Sequence, residues 1–301
     1  MTEPRQTVVI VGAGQAGGET AIQLRKLGFA GRVLIIGEES QIPYKRPPLS
    51  KAYLAGTASE ESLHLLPQVS LDKLDIECRG NTRVMGIDRH GQRVLTEHGA
   101  VSYDKLVLAT GARARELNLP GAHRPNVLPL RTVSDVNRIR QRCQAGRRVV
   151  IVGGGFIGLE VAAVCSKLGL QVTVLEGLPR VLARVTVPQV SAFFERVHRE
   201  AGVDLRTGVQ VTALEGEPEV KQVVLDDGSR VEADVVIVGI GIVPNVELAQ
   251  DAGLAVDNGI VVDEFTRTSD PHIVAAGDCT NHPNEFAGRR LRLESVQNAM
   301  E

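Results

Sequence analysis

One local pattern constrains this chain more than any other, and it is written twice. An apolar run, Thr7 to Val11 (TVVIV), leads into Gly12-Ala13-Gly14-Gln15-Ala16-Gly17 and then a helical stretch through Ala21, Ile22, Leu24 and Leu27. Val149 to Val152 likewise leads into Gly153-Gly154-Gly155-Phe156-Ile157-Gly158 and a stretch through Val161, Val164 and Leu168. Each copy closes with a second apolar strand, Val33 to Ile36 and Val172 to Leu175, making a βαβ unit. In such a turn the first glycine permits the sharp strand-to-helix turn, the second lets a pyrophosphate approach the backbone, and the third lets helix pack on strand. The unpaired N–H groups and positive dipole end at the start of the helix hold the phosphates.

A lone Gly-x-Gly-x-x-Gly is weak evidence, because glycine-rich turns are common. Here each copy also carries an acidic residue just past the next strand, Glu38 after LIIG and Glu176 after VTVL, where a carboxylate can accept from ribose hydroxyls. Glu176 repels a 2′-phosphate and so favours NADH over NADPH, although Arg180 and Arg184 lie close enough in sequence to suit such a phosphate. The repeat extends downstream: 75–111 and 203–241 both show short alternating strands with turn signals, His90-Gly91 and Asp227-Gly228. Each then has an acidic residue, an apolar run and a glycine turn. After Gly241 no third copy begins; strands are expected at Gly259 to Asp263 and Ser269 to Asp278, the latter ending in Gly277-Asp278. The predicted architecture is α/β, two Rossmann-like dinucleotide-binding domains in tandem. The first is discontinuous (1–112 and 246–301), the second spans 113–245, and the linkers fall near Gly111–Leu119 and Gly241–Glu247.

The 301 residues suffice for two such cores. A net charge of -2 excludes nothing but a strongly basic nucleic-acid or membrane binder, and 43% hydrophobic with 23% charged residues is the balance of a globular protein. The polar start, Met1 to Thr7, leaves no room for a signal peptide, and Val149 to Cys165 is too short and glycine-broken to span a bilayer. Four scattered cysteines (Cys78, Cys143, Cys165, Cys279), with no CxxC and no metal-ligand spacing, point to inert thiols in a reducing cytoplasm.

With both loops in view, the chain resembles the FAD-dependent, NADH-oxidising ferredoxin reductases of the putidaredoxin, rubredoxin and aromatic-ring dioxygenase systems. The likeness covers the whole chain. It rests on VVIVGAGQAGGETA, IPYKRPPLSKAYLAG (42–56), LVLATGAR (106–113), LRT (130–132), VVIVGGGFIGLEVAA (149–163), VSAFFERVHREAGVDLRTG (190–208), VGIGIVPN (238–245), TSDPHIVAAGDC (268–279) and ESVQNAM (294–300). The fold implied is that of glutathione-reductase-like enzymes, with FAD on the first loop and NADH on the second. FAD contacts implied are Gly12, Gly14, Ala16, Gly17, Glu38, Arg46, Lys51, Val84, Ala109, Thr110, Gly111, Arg131, Gly277, Asp278 and Val296. NAD contacts implied are Gly153, Gly155, Phe156, Ile157, Gly158, Glu160, Glu176, Arg184, Gly239, Ile240 and Gly241. Asp278 also has its own rationale, since a carboxylate after a strand-end glycine can bind ribitol hydroxyls.

The resemblance further implies that Lys51 and Glu160 are the catalytic pair flanking flavin N5 and the nicotinamide, where a buried lysine needs a carboxylate partner. Without the family, Lys51 is a surface lysine and Glu160 a carboxylate favoured by its helix N-terminus. Relatives that reduce disulfides or peroxides need a redox cysteine near the flavin, and the segment 40–56 contains none. A flavin accepts electrons as a hydride pair and returns them singly, so the implied partner is an acidic iron–sulfur ferredoxin or rubredoxin that supplies an oxygenase. Arg289, Arg290 and Arg292, with Lys45, Arg46 and Lys51, are candidates for a basic rim. The chain stops at Glu301, directly after ESVQNAM, so it is expected to be a fragment lacking the C-terminal interface domain of full-length members, and to be a monomer or weak homodimer. Two other functions fit the same loops: an NADH oxidase or diaphorase using oxygen or a quinone, and a redox-gated binding flavoprotein like apoptosis-inducing factor.

Overall fold

The computed structural model describes residues 6–300; the polar start at 1–5, on which the absence of a signal peptide was argued, and residue 301 lie outside the described residues. The chain divides into two compact units, one comprising 1–45, 63–113 and 244–301, the other 46–62 and 114–243. Both crossings, at 113/114 and 243/244, fall within the linkers marked by glycine and proline in the sequence. The segment 46–62 departs from the sequence expectation. It groups with the second unit, because the short 3₁₀ turn Pro47–Ser50 and the chain after it bond to helices of that unit.

The first unit is built on a parallel sheet of β1 (Thr7–Val11), β2 (Arg32–Ile36), β3 (Ile76–Arg79) and β4 (Lys105–Leu108). Its order is Ile273–Ala275, β4, β1, β2, β3. Continuous apolar strands are what a parallel sheet covered on both faces requires. The alternate residues of β1 accordingly enter two different cores: Val9 and Val11 with Leu34, Leu106 and Ile273, and Val8 and Ile10 with Val33, Ile35 and Val107. Helix α1 (Gln15–Lys26) covers the second face through Ala16, Ala21 and Leu24.

The second unit repeats the plan with β5 (Val127–Pro129), β6 (Arg148–Val152), β7 (Gln171–Glu176), β8 (Asp204–Thr207) and β9 (Val235–Val238), in the order β5, β9, β6, β7, β8. Around it run α2 (Val133–Arg142), α3 (Phe156–Lys167) and α4 (Pro188–Glu200). The downstream repeats become two three-stranded antiparallel sheets, Val84–Asp88 with Arg93–Thr96 and Gly99–Ser102, and Val211–Glu215 with Gln222–Leu225 and Arg230–Glu232. The two late strands are shorter than expected. Only Ile260–Val261 and Ile273–Ala275 pair, the flanking residues being spent in turns around Asp263 and Asp270. No helix among the described residues is long and apolar enough to cross a membrane.

The acidic residue that precedes the last strand of each repeat has a structural task. Asp104 accepts from Thr7 N at 2.6 Å, and Asp234 accepts from Arg148 N at 3.0 Å, each anchoring the central strand of its sheet at the end opposite the glycine loop. Asp234 also takes Arg148 Nη2 at 2.8 Å, and the guanidinium hydrogen bond holds its carboxyl down to about 2. A depressed carboxylate stabilises the fold above the unfolded carboxylate range, and that stability is lost as pH falls through about 2. Asp234→Asn should therefore cost on the order of 1 kcal/mol at neutral pH, after allowance for solvent screening of the partly exposed pair. It should also flatten the acid limb of stability between roughly pH 4 and pH 2, as read by urea unfolding across pH.

Candidate functional site

The two glycine loops have the same geometry. Gly12 has φ +119° and Gly153 φ +114°, backbone angles closed to most side chains. A Cβ on Gly12 would lie 2.0 Å from Ala109 O, and one on Gly153 would lie 2.4 Å from Gly239 O. At the third positions a Cβ would meet the first glycine's own carbonyl, 1.9 Å at Gly17 and 2.0 Å at Gly158. At the second positions, Gly14 and Gly155, a Cβ would meet nothing within 4 Å. Both are extended N-cap residues with no side chain capping the helix, and neither α1 nor α3 has an acidic residue in its first turn. The cradle is closed by backbone at two glycines and open at the one a pyrophosphate would approach, with N–H groups left to bind it. The residues therefore fit a dinucleotide at each loop.

Around the first loop, the turn at Gly277 runs against α1: a Cβ there would come within 2.9 Å of Ala16 Cβ and 3.9 Å of Ala299 Cβ. The GDC and ESVQNAM segments, far apart in sequence, thus both reach the start of α1, with Asp278 following that turn and Val296 half-buried at the start of the last helix. Gln15 Oε1 is buried there without a hydrogen-bond partner among the described residues. Glu38 lies just past β2, largely exposed, with Arg83 3.8 Å away. Ala109 supplies the carbonyl beneath Gly12. Thr110 Oγ1 donates to Asn245 O at 2.6 Å, while Asn245 Nδ2 donates back to Thr110 O at 2.9 Å. Asn245 N bonds Gly111 O, so a residue outside the predicted set fixes the Ala109-Thr110-Gly111 turn. Val84 is a core residue, buried among Val9, Leu34 and Leu106.

In the second unit, Glu176 is more tightly held than a ribose ligand alone need be. Its Oε2 accepts from Gly154 N at 2.6 Å and its Oε1 from Leu178 N at 2.8 Å, so the carboxylate also fixes the loop. Gly239, Ile240 and Gly241 follow β9, and Gly239 with Ile240 N passes directly beneath Gly153. Phe156 and Ile157 stand exposed on the first turn of α3, 51% and 41%, where a bound nucleotide could cover them. Arg180 is removed from the contest over a 2′-phosphate: it donates to Thr186 O, Ala183 O and the buried Ser191 Oγ, clamping its own loop. Arg184 remains exposed.

Lys51 and Glu160, remote in sequence, meet as expected, with Lys51 Nζ 2.6 Å from Glu160 Oε2. The expected burial of the lysine is not seen: its side chain is 51% exposed and that of Glu160 is 29% exposed. The missed partner is Ser50, whose Oγ donates to the same Oε2 at 2.5 Å. Arg46 and Arg131 also come together, Arg46 Nη1 donating to Arg131 O at 2.6 Å ahead of the Thr132–Asp135 capping box of α2.

Of the candidate basic rim, Lys45, Lys51, Arg289 and Arg290 are exposed. Arg290 is exposed while its Nη2 donates to Val262 O and Asn281 O, whereas Arg292 is only 12% exposed against Glu294. The cysteines are all free thiols. Cys279 is fully buried, donates to backbone carbonyls, and is pushed up by burial. Cys165 is buried, and its thiol is pushed up by Cys143 and by burial.

Two open-mouthed pyrophosphate cradles in one chain define a protein that handles a pair of dinucleotides. The chain belongs to the pyridine nucleotide-disulphide oxidoreductase family, which it matches over residues 6–301. It is 48% identical to putidaredoxin reductase CamA of Pseudomonas putida, over 98% of this chain and 71% of that protein. It is 42% identical to rubredoxin-NAD(+) reductase of Pseudomonas putida, over 97% of this chain and 77% of that protein. Its fold superposes with TM-score 0.95 on a chain of the crystal structure of the covalent putidaredoxin reductase–putidaredoxin complex. That chain is 48% identical, with 98% of this chain and 72% of that one covered.

The glycine geometry separates fold from binding. Gly153→Ala must force a positive φ and a backbone collision, and should cost at least ~2 kcal/mol in thermal or urea unfolding. Gly155→Ala has room and an ordinary extended backbone, so it should cost about 1 kcal/mol or less, yet weaken nucleotide binding at least roughly tenfold by placing a methyl against the pyrophosphate. Calorimetric titration beside unfolding curves checks both.

Proposed function

We propose that this chain is an FAD-dependent oxidoreductase that takes hydride from NADH and passes single electrons to a small ferredoxin or rubredoxin. The observation that carries this is the duplicated cradle, with identical open second glycines at Gly14 and Gly155, in a chain whose relatives are named as reductases of putidaredoxin and rubredoxin. Bound FAD supplies the conversion of a two-electron donor into one-electron steps. The chain's residues do the rest. The N–H groups at the starts of α1 and α3 bind the two pyrophosphates, and Glu38 and Glu176 accept from the ribose hydroxyls. Asp278 takes the ribitol hydroxyls.

Glu176 also decides between nicotinamide nucleotides. It is fixed by two backbone donors and so cannot swing away from a 2′-phosphate, while Arg180, the nearer candidate counter-charge, is consumed by its own loop. Lys51 and Glu160 act as one charge pair on NADH oxidation. The direct, thiol-free route to the acceptor is supported by the lack of cysteine in 40–56 and by the buried, poorly ionising Cys279. Four free thiols suit the reducing cytoplasm in which we place the reaction.

NADH should be preferred over NADPH in kcat/KM for flavin reduction, and Glu176→Ala should narrow the gap by ~1–3 kcal/mol; equal use of the two nucleotides by the unmodified protein would overturn the assignment. Steady-state assays should show NADH-dependent reduction of a [2Fe–2S] ferredoxin or a rubredoxin. Consumption of oxygen or a quinone alone, with no transfer to either carrier, would favour the oxidase reading. Replacing Cys78, Cys143, Cys165 and Cys279 by alanine in a protein that still folds and holds FAD should leave flavin reduction by NADH within about twofold, as measured by stopped flow.

A further inference from the structure

The turn Pro47–Ser50 and the first turns of α3 converge on a single oxygen. Glu160 Oε2 accepts from Ser50 Oγ at 2.5 Å and from Lys51 Nζ at 2.6 Å. The other oxygen, Oε1, accepts from no side chain or backbone group among the described residues. The two donors are physically unlike. Lys51 is half exposed on a flexible stem, carries three protons and has a second acceptor, Pro47 O, at 3.3 Å. Ser50 is 1% exposed, has one proton, and sits on a turn whose prolines fix the backbone. A buried hydroxyl that cannot turn to water holds its acceptor in one place, whereas a half-exposed ammonium follows it.

Resting on the reading that NADH occupies the second loop, we propose that Ser50 is a positioning residue for that nucleotide. It pins Glu160 through Oε2, so that Oε1 is presented as a fixed acceptor for an N–H or O–H donor of the bound nicotinamide nucleotide. Lys51 supplies charge to the carboxylate; Ser50 supplies its orientation. A charge-assisted hydrogen bond of this kind is short and directional, which is what orientation needs. A serine that merely stapled 46–62 to α3 would make the same contact, and it would alter stability without altering the nucleotide.

The test uses the full chain loaded with FAD. For the unmodified protein, Ser50→Ala, Ser50→Thr, Glu160→Gln and the Ser50→Ala/Glu160→Gln pair, one measures the Kd of NAD+ by calorimetry, the stopped-flow rate of flavin reduction by NADH, and the unfolding midpoint. Ser50→Ala is expected to weaken NAD+ binding or slow reduction by roughly tenfold, and Ser50→Thr, which keeps the hydroxyl, to recover most of it. The double variant should match Glu160→Gln alone, because Ser50 acts only through that carboxylate. Ser50→Ala with a lowered midpoint but unchanged Kd and rate would make Ser50 a staple and overturn the inference. Losses that multiply in the double variant would overturn it too. An unmodified protein that neither binds NAD+ nor is reduced by NADH would sink the reading of the second loop itself. Should a Thr methyl prove too large for the site, Ser50→Cys gives a weaker donor of similar size, and an intermediate loss is expected.

Discussion

The structure depends on two places where backbone approaches backbone at a distance no side chain permits. Gly12 lies over Ala109 O and Gly153 over Gly239 O, each so close that a single methyl would collide. In each copy the third glycine then lies against the first glycine's own carbonyl. These contacts let a helix start directly on the carboxyl edge of a parallel sheet, with its N–H groups uncapped and aimed outward. A cap residue or a larger turn would satisfy those donors internally and leave nothing to bind a phosphate. The same absence of side chains that makes the packing possible also makes the site.

Each sheet is held from the opposite end by a carboxylate. Asp104 and Asp234 anchor the backbone N–H at the start of the central strand, β1 and β6 respectively. The two units therefore share a polarity, polar anchoring at the amino edge and an open cradle at the carboxyl edge. Between these ends the inner strands β1, β2, β6 and β9 are runs of Val, Leu and Ile, buried on both faces. That division is why ligand chemistry can be confined to loops and helix starts.

Glu160 and Glu176 in the second unit both have partners, and the kind of partner sets the role of each. Glu176 has two backbone donors and so is rigid. Glu160 has a buried hydroxyl and a half-exposed ammonium on one oxygen. Arg180, the cation nearest in sequence to Glu176, donates instead to Ser191 and two carbonyls. A guanidinium whose N–H donors are spent on such contacts has fewer left for a ligand, whereas a carboxylate that accepts two hydrogen bonds keeps free lone pairs.

The sequence by itself determined the two βαβ units, their glycine loops, the acidic residues Glu38 and Glu176, and the tandem plan. Each is a local pattern, readable because strand and helix periodicity and positive-φ glycines are set by residues a few positions apart. Its family likeness also paired Lys51 with Glu160 across more than a hundred residues. Tertiary structure alone decided how the long-range partners are used. It placed Ser50 on Glu160, grouped 46–62 with the second unit, tied Arg290 to the carbonyls of Val262 and Asn281 and Arg292 to Glu294, and put Val84 in the core. No periodicity marks a serine whose acceptor lies on another element, or an arginine whose carbonyl partners come from distant turns. Hydrogen-bond partners and burial are properties of three-dimensional proximity, and the spacing of residues along the chain carries no record of them.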